Sequence, residues 1–283
     1  MSQHNSAQQA LAWFSSVSSS RADAPRTVLL AAHPDDETIG ASAALHRLPD
    51  VTVAYLTDGA PRDTRLWSPH VNGSRDFYAC VRAEEAASAL AIAGVPASRI
   101  VFLGGVDQEG MAEAARLLEG FVDIVRRCQP SVVITHPYEG GHPDHDTAAL
   151  IAQLALAMIS GEAVAVPALL EMTSYHGRDG RRASGEFLPT DARGSYESVT
   201  LSLTPEERTM KARMFGSYVS QWHILSEFPL EPERLRAAPV YDFTQPPHDG
   251  QPWYEYLNWP TTNALWRGAA KKLLERYGHV SCH

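Results

Sequence analysis

Cysteine is scarce in this chain. Of its 283 residues only Cys80, Cys128 and Cys282 are cysteines, and they are far apart. This spacing excludes a disulfide framework and a cysteine-type zinc motif. Because such a chain does not depend on oxidising conditions, we expect a cytoplasmic protein.

Long apolar runs and a basic charge balance are also missing. The longest apolar stretch, residues 148–159, contains Gln153 and is too short to span a bilayer. The N-terminus has one short apolar patch, residues 11–14, without a basic region before it, so we expect no signal peptide. The formal net charge of −9 argues against a protein that binds nucleic acid through a basic face.

Short β-branched runs alternate with longer helical patterns through the first two thirds of the chain. The predicted strands are residues 27–32, 51–57, 100–103, 131–135 and 168–175. The predicted helices are residues 38–48, 75–93, 111–127 and 143–159. This alternation predicts an α/β protein with a Rossmann-like, three-layer fold around a mostly parallel sheet.

The pattern changes after about Gly177. Residues 178–194 are rich in Gly, Arg and Asp and predict a loop, and residues 198–203 predict one further strand. Thr204, Pro205 and Glu207 have the spacing of a capping box at the start of a helix that runs to about residue 220. Residues 222–262 are rich in proline and aromatic side chains, and residues 263–277 predict a final helix.

These patterns divide the chain into three parts. Residues 1–25 are expected to form an N-terminal arm, partly helical. Residues 26–203 are expected to form the Rossmann-like catalytic domain. Residues 204–283 are expected to form a helical, aromatic-rich extension that packs on the same domain.

Two polar motifs follow the first and fourth predicted strands. The first is His33-Pro-Asp35-Asp36, and the second is His142-Pro-Asp144-His145. In a doubly wound sheet ordered 3-2-1-4-5, strands 1 and 4 are neighbours at the switch point, where ligands bind beyond the carboxyl ends. We therefore expect the two motifs to meet at one crevice.

The residue types in the two motifs suit a catalytic metal. His33 and Asp36 are close enough in sequence to bind one ion, and His145 can supply a third ligand from across the crevice. Two imidazoles and one carboxylate suit zinc with an open coordination position, which lowers the pKa of bound water and polarises a carbonyl group. The same ligands also accept other divalent ions.

Three polar residues of the motifs remain beside these ligands. Asp35 is placed to act as a general base. His142, as an imidazolium, is placed to stabilise an oxyanion or to protonate a leaving amine. Asp144 is placed to orient a histidine. The alternative for both motifs is structural, because acidic residues and histidines also cap helices.

Together the two motifs resemble those of the PIG-L/LmbE-like N-deacetylase family, and the resemblance covers about residues 27–175. It implies a zinc-dependent hydrolase that removes acetyl from an N-acetylated amino sugar, most simply an N-acetylglucosamine-type sugar or glycoconjugate. The resemblance also implies roles for individual residues: the metal ligands are His33, Asp36 and His145, the base is Asp35, and the electrostatic partner is His142.

Two further segments resemble the same family. Arg82 matches an arginine that contacts the substrate sugar; the alternative is a surface ion pair with Glu85 at helical spacing. Asp107, after Leu-Gly-Gly, matches an acidic residue that binds sugar hydroxyls, and Gln108 and Glu109 compete for this role. One position departs from the family pattern. Where mycothiol-type members have a tyrosine two residues before the His-Pro-Asp-His motif, this chain has Gly140.

The aromatic residues between 222 and 266 have three interpretations. They can form a wall on which sugars stack, pack an irregular tail onto the core, or form a subunit interface in a homo-oligomer. The sequence favours the last two interpretations.

Two other functions compete with sugar deacetylation. One is a metal-dependent amidase acting on a thiol conjugate or another non-sugar amide. The other is a non-catalytic module that binds a sugar or a nucleotide. A nucleotide-binding module would carry a glycine-rich phosphate loop after the first strand, where this chain has two aspartates. The expected partner is therefore a small N-acetylated molecule and not a nucleic acid.

Overall fold

A computed structural model of the chain describes residues 3–16, 19–162, 165–188 and 198–278. Cys282, the N-terminal Met1 and residues 189–194 of the predicted loop lie outside these ranges. The described part of the chain contains no helix that is long and apolar enough to cross a membrane.

The centre of the molecule is a seven-stranded sheet. Five parallel strands come first in the chain: β1 (Thr27–Ala31), β2 (Val51–Thr57), β3 (Ile100–Gly105), β4 (Val132–Thr135) and β5 (Ala168–Met172). A separate hairpin is formed by β6 (Tyr175–Arg178) and β7 (Arg181–Ser184). The last two strands are β8 (Ser198–Leu201) and β9 (Glu233–Ala237), and β9 is antiparallel to both β5 and β8. The sheet order is β3-β2-β1-β4-β5-β9-β8.

Helices cover both faces of this sheet. They are α1 (Gln3–Ser15), α2 (Asp36–Arg47), α3 (Arg75–Ala93), α4 (Ala114–Cys128), α5 (Pro143–Ile159), α6 (Pro205–Ser217), α7 (Trp222–Leu225), α8 (Trp253–Tyr256) and α9 (Asn263–Tyr277). Strand β1 is buried throughout, and its side chains alternate between two apolar clusters. Leu29 and Ala31 pack with α1, α2, α3 and α6, whereas Val28 and Leu30 pack with α4, α5 and α9. The three-layer α/β fold predicted from the sequence is confirmed.

Capping side chains explain why several helix boundaries can be predicted from the sequence. The side chain of Ser74 accepts a hydrogen bond from the N–H of Phe77 at the start of α3, and Gly94 ends that helix with φ of 90°. At the start of α6, Thr204 and Glu207 form the predicted capping box. Each cap satisfies backbone groups that the first or last helical turn leaves without partners.

The secondary structure predicted from the sequence was wrong in two places after Met172, the last residue of β5. The predicted strand 168–175 stops at Met172, and the hairpin of β6 and β7 begins at Tyr175, partly within the predicted loop 178–194. Strand β9 lies within residues 222–262, for which no strand was predicted. Its charged side chains obscure the pattern of a buried strand. Glu233 forms an ion pair with Lys211 at 2.8 Å, and Arg236 pairs with Glu171 at 2.7 Å, all four being buried.

The predicted division into arm, domain and extension stays a prediction, but contacts cross both boundaries. Helix α1 buries Leu11 and Phe14 and packs against β5, β8 and β9. Strand β9, from the predicted extension, pairs with β5 and β8 of the predicted catalytic domain.

Candidate metal and catalytic site

Both polar motifs lie at the carboxyl ends of neighbouring strands. His33 follows β1 by two residues, and the segment after β4 leads to His142, which caps the start of α5. Strands β1 and β4 pair directly, so the fold brings together side chains more than a hundred residues apart in the chain. All six histidines and carboxylates predicted to bind metal or catalyse the reaction are buried there: His33, Asp35, Asp36, His142, Asp144 and His145.

Asp36 lies between two of the predicted ligands. Its Oδ2 accepts a hydrogen bond from the backbone N–H of His33 at 2.8 Å and lies 3.3 Å from His33 Nδ1. Its Oδ1 lies 3.2 Å from His145 Nε2. Burial alone would raise the pKa of Asp36, but the imidazoles of His145 and His136 hold it well below its ordinary value. The carboxylate form, which binds metal ions, is therefore favoured.

The donor atoms of the site fit a metal ion in overlapping clusters, among them one of His33, His142 and His145 and one of Asp36, His136 and His145, so the three predicted ligands are divided between these two. His145 Nε2 is buried and has no well-aligned hydrogen bond with any of the described residues. Burial, as the largest cause, lowers the pKa of His145 to about 3, which keeps its imidazole neutral. Ligands at zinc distances of about 2.0–2.2 Å in a tetrahedral arrangement lie about 3.3 Å apart. His33 Nδ1 lies at about this distance from Asp36 Oδ2, and His145 Nε2 lies at about this distance from Asp36 Oδ1, so the two imidazoles face different oxygen atoms of one carboxylate.

His136 is a histidine of the site that the sequence analysis missed. It follows β4 directly and is fully buried, with its ring stacked on that of His145 at 4.0 Å. It is the third member of the cluster that also contains Asp36 and His145. However, its Nε2 accepts a hydrogen bond from the backbone N–H of Ala32 at 3.1 Å, which occupies the lone pair that a metal would need. The position next to a switch-point strand was the signal available in the sequence.

Asp35 occupies an unusual backbone conformation. Its φ is 122°, and its side chain makes no capping hydrogen bond at the start of α2. A non-glycine residue held at positive φ marks strain that the surrounding structure must stabilise. Burial, as the largest cause, raises the pKa of Asp35 to about 7, although Arg82 opposes the shift.

Arg82 is buried beside Asp35. Its Nη2 donates to Asp35 Oδ2 at 3.1 Å, and its Nε donates to the carbonyl of Gly59 at 3.2 Å. Its Nη1 is buried without a partner among the described residues and Arg82 borders the cavity over the site. The alternative of a surface ion pair with Glu85 is wrong, because Glu85 instead accepts hydrogen bonds from Ser220. Contact with the substrate stays a prediction.

Carboxylates also surround the other side of His33. Asp107 Oδ1 and Asp144 Oδ2 each lie 3.2 Å from His33 Nε2. Burial alone would lower the pKa of His33, but Asp107, Asp144 and Asp36 together raise it well above its ordinary value. Asp144 also accepts hydrogen bonds from the backbone N–H groups of Gln108 and Gly110, which fixes the loop after β3.

The three candidates for the substrate contact on this loop lie in different places. Asp107 and Gln108 border the cavity, with Asp107 directed at His33. Glu109 forms an ion pair with the exposed Arg62 instead. A role for Asp107 in binding substrate stays a prediction.

His142 is held in one tautomer when neutral. The backbone N–H of Asp144 donates to His142 Nδ1 at 3.0 Å, so the proton of the neutral ring is on Nε2. Burial, followed by the neighbouring imidazoles of His33 and His145, lowers the pKa of His142 well below its ordinary value. This favours the neutral ring over the imidazolium expected from the sequence. His142 Nε2 lies 2.8 Å from the amide nitrogen of Gln108, which is also a donor, so this tautomer requires the Gln108 amide to turn and accept through Oε1, an atom without a partner in the described structure.

A cavity of about 180 Å³ opens over these groups. Tyr175, half-buried at the start of β6, borders it with its ring 5.1 Å from that of His145. The site therefore contains a tyrosine, Tyr175, although this chain has Gly140 at the position where mycothiol-type members have theirs. Tyr138, near that position in sequence, packs on Trp266 away from the cavity and donates to the carbonyl of Gln245.

The C-terminal aromatic residues do not share one environment. Phe228, Phe243, Tyr254 and Trp266 are buried, as the packing interpretation expects. Trp222 and Tyr256 are exposed. Trp259 and Phe228 border the cavity over the histidines, and the ring of Trp259 lies 4.8 Å from that of His142.

Comparison with known proteins finds a family match. Residues 28–156 match the model of the PIG-L family, described as GlcNAc-PI de-N-acetylase, the family that the two motifs resemble. A curated relative from Corynebacterium efficiens, a 1D-myo-inositol 2-acetamido-2-deoxy-alpha-D-glucopyranoside deacetylase, is 33% identical over 160 residues. The match covers 48% of this chain and 50% of the relative, so the chain spans about half the length of the curated relatives it matches.

Solved structures share the fold at lower sequence identity. An A40926 pseudoaglycone deacetylase superposes with a TM-score of 0.57 at 18% identity, over 75% of this chain and 96% of that one. A 4-carboxy-2-hydroxymuconate hydratase from Pseudomonas putida superposes with a TM-score of 0.52 at 17% identity, over 72% and 82% of the two chains. Because a deacetylase and a hydratase share this fold, the fold alone does not determine the reaction.

Proposed function

We propose that this protein is a metal-dependent N-deacetylase, with zinc as its metal, that acts on an N-acetylglucosamine-type sugar or glycoconjugate. The observation that carries the proposal is the position of Asp36 between His33 and His145, at separations of 3.3 and 3.2 Å, with Asp35 beside it. The deacetylase activity of the curated relative supports the choice of reaction.

His33, Asp36 and His145 would hold the metal. Bound zinc lowers the pKa of water and polarises a carbonyl oxygen, which is the chemistry that amide hydrolysis requires. Asp144 accepts from the far nitrogen of His33, and Asp107 lies 3.2 Å from the same nitrogen; together the two carboxylates orient the ring and increase its basicity.

Asp35 is the proposed general base. Its carboxylate removes a proton from the water that attacks the amide carbonyl, and the same proton can pass to the departing amine. Arg82 donates to the Oδ2 atom of Asp35 and so fixes the direction of the carboxylate. The hydrogen bond from the Asp35 N–H to Glu37 Oε2 at 3.1 Å holds its backbone.

His142 is the proposed donor to the carbonyl oxygen. Its neutral ring carries a proton on Nε2 because Nδ1 accepts from the backbone of Asp144. This N–H can stabilise the negative charge that develops on the carbonyl oxygen as the amide is attacked. The role needs no imidazolium, so it is compatible with the lowered pKa of His142.

The decisive experiment compares Asp35→Asn with Asp76→Asn. Asp35→Asn should keep the metal but lower turnover by about 10²–10⁴-fold, the usual contribution of a general base. Asp76, whose side chain is 93% exposed on the surface, serves as the matched control and should leave both properties unchanged. Amine release from an N-acetylglucosamine glycoside and metal content are measured on the same samples. Full activity of Asp35→Asn would refute its assignment as base.

A further inference from the structure

A second cavity adjoins the cavity of about 180 Å³ over the histidines, which we call the catalytic cavity. It has a volume of about 540 Å³ and shares four bordering residues with the catalytic cavity, which are Tyr175, Ile224, Phe228 and Trp259. Trp253, Leu257 and the pair Arg182 and Glu227 complete its wall. We call this space the outer cavity.

Aromatic contacts lead from the catalytic histidines to the outer cavity. The ring of His145 contacts that of Tyr175, which contacts Phe228 at 5.8 Å. On the other side His142 contacts Trp259. A substrate whose amide lies at the histidines can therefore extend directly into the outer cavity.

The wall of the outer cavity offers apolar surface and little free charge. The charged residues on it are Arg182 and Glu227, which bind each other at 2.7 Å. The guanidinium of Arg182 also lies over the Phe228 ring at 4.5 Å. Ile224 is 40% and Leu257 41% exposed, so the outer cavity presents apolar surface that is open to water, and an apolar group that covers this surface gains free energy.

We propose that the substrate carries a large apolar group, attached to its amine-bearing half, which fills the outer cavity. This inference rests on the proposed deacetylase function, in which the acetyl half is too small to reach beyond the catalytic cavity. All residues of the outer cavity lie at or beyond Tyr175, outside the segment that matches the PIG-L family. The outer cavity is thus a feature by which this chain selects its substrate.

The test is a series of N-acetylglucosamine β-glycosides with methyl, butyl, octyl and phenyl aglycones. We expect kcat/KM for amine release to rise with the size of the apolar group, by roughly three- to fourfold for each methylene that is fully buried. Equal kcat/KM across the series would overturn this inference and leave the proposed function standing. No hydrolysis of any member would overturn the proposed function and this inference with it.

A matched pair of variants tests whether the gain in kcat/KM arises in the outer cavity. Leu257 borders the outer cavity but not the catalytic cavity, and it is 41% exposed. Leu265 on α9 borders neither cavity and is 66% exposed. Leu257→Ser should reduce the octyl-over-methyl gain at least about threefold, the effect of losing one or two buried methylenes. Leu265→Ser should keep the full gain. An equal octyl-over-methyl gain in the two variants would contradict the binding of the apolar group in the outer cavity.

A second series changes the acyl group while the aglycone stays methyl. The methyl glycosides of N-butanoyl and N-octanoyl glucosamine should be hydrolysed no faster than the methyl glycoside of N-acetylglucosamine, because the apolar group is assigned to the amine-bearing half. A gain that appears only in this acyl series would overturn that assignment.

Discussion

Arg82 donates a hydrogen bond to Asp35 across 3.1 Å, and both side chains are buried. The same guanidinium binds the carbonyls of Pro34 at 2.5 Å and Gly59 at 3.2 Å. One residue of α3 therefore holds the loop after β1, the loop after β2 and the proposed base.

Removing Arg82 should destabilise the protein strongly. Arg82→Gln leaves the carboxylate of Asp35 buried without its ion partner, and breaking a buried pair in this way costs about 3–5 kcal/mol. Arg62→Gln breaks the exposed pair with Glu109 and should cost less than about 1 kcal/mol. Urea unfolding measures both variants, and equal stabilities would contradict the role given to Arg82.

Metal content should distinguish the two histidines that stack on each other. His145→Gln should lose stoichiometric zinc, because its Nε2 is the free donor facing Asp36. His136→Gln should keep zinc, because its Nε2 is already bonded to the backbone of Ala32. Elemental analysis after dialysis gives the answer. Loss of zinc in His136→Gln with retention in His145→Gln would reverse the assignment of ligands.

Much of the fold was predictable because its signals are local. The predicted limits of α3, α5 and α9 match the structure, since each helix begins with a capping side chain, Ser74, His142 or Thr262. Strand β9 was missed because its pattern shows charged residues, and their buried partners Lys211 and Glu171 lie far away in the chain. Ion pairs between residues this far apart cannot be predicted from a short stretch of sequence.

The same distinction applies to the site. The two motifs identify six of its histidines and carboxylates because they follow strands that meet at the switch point. Tyr175 was missed because it was assigned to the end of a strand, and its proximity to His145 depends on the β6–β7 hairpin. The outer cavity was not predictable, since its residues come from four separate segments between 175 and 259.

Tyr218 should stabilise the loop that carries the base. Its hydroxyl donates to Glu37 Oε1 at 2.6 Å, and Glu37 in turn accepts from the backbone of Asp35. Tyr218→Phe removes a buried hydrogen bond to a carboxyl group and should lower the free energy of unfolding by about 1–3 kcal/mol. Tyr256→Phe, at an exposed position, is the control and should change it little. Similar stability of the two variants would argue against this support.

Glu171 should make stability depend on pH. Burial raises the pKa of Glu171 from 4.5 to about 7, although Arg236 opposes the shift. Between these values the folded protein holds a proton that the unfolded chain has released, so this group's contribution to stability is present at low pH and is lost as pH rises. The stability of the protein relative to Glu171→Gln should therefore fall between about pH 5 and about pH 7.5, as measured by urea unfolding. A constant difference across this range would contradict the raised pKa.

The most direct test of the central claim is amine release from N-acetylglucosamine glycosides, measured with the metal present, after chelation, and after zinc is restored. Our account predicts that release stops when the metal is removed and returns with zinc. Release that continues in protein shown to be free of metal would contradict it, as would the absence of release from zinc-loaded protein across the whole series.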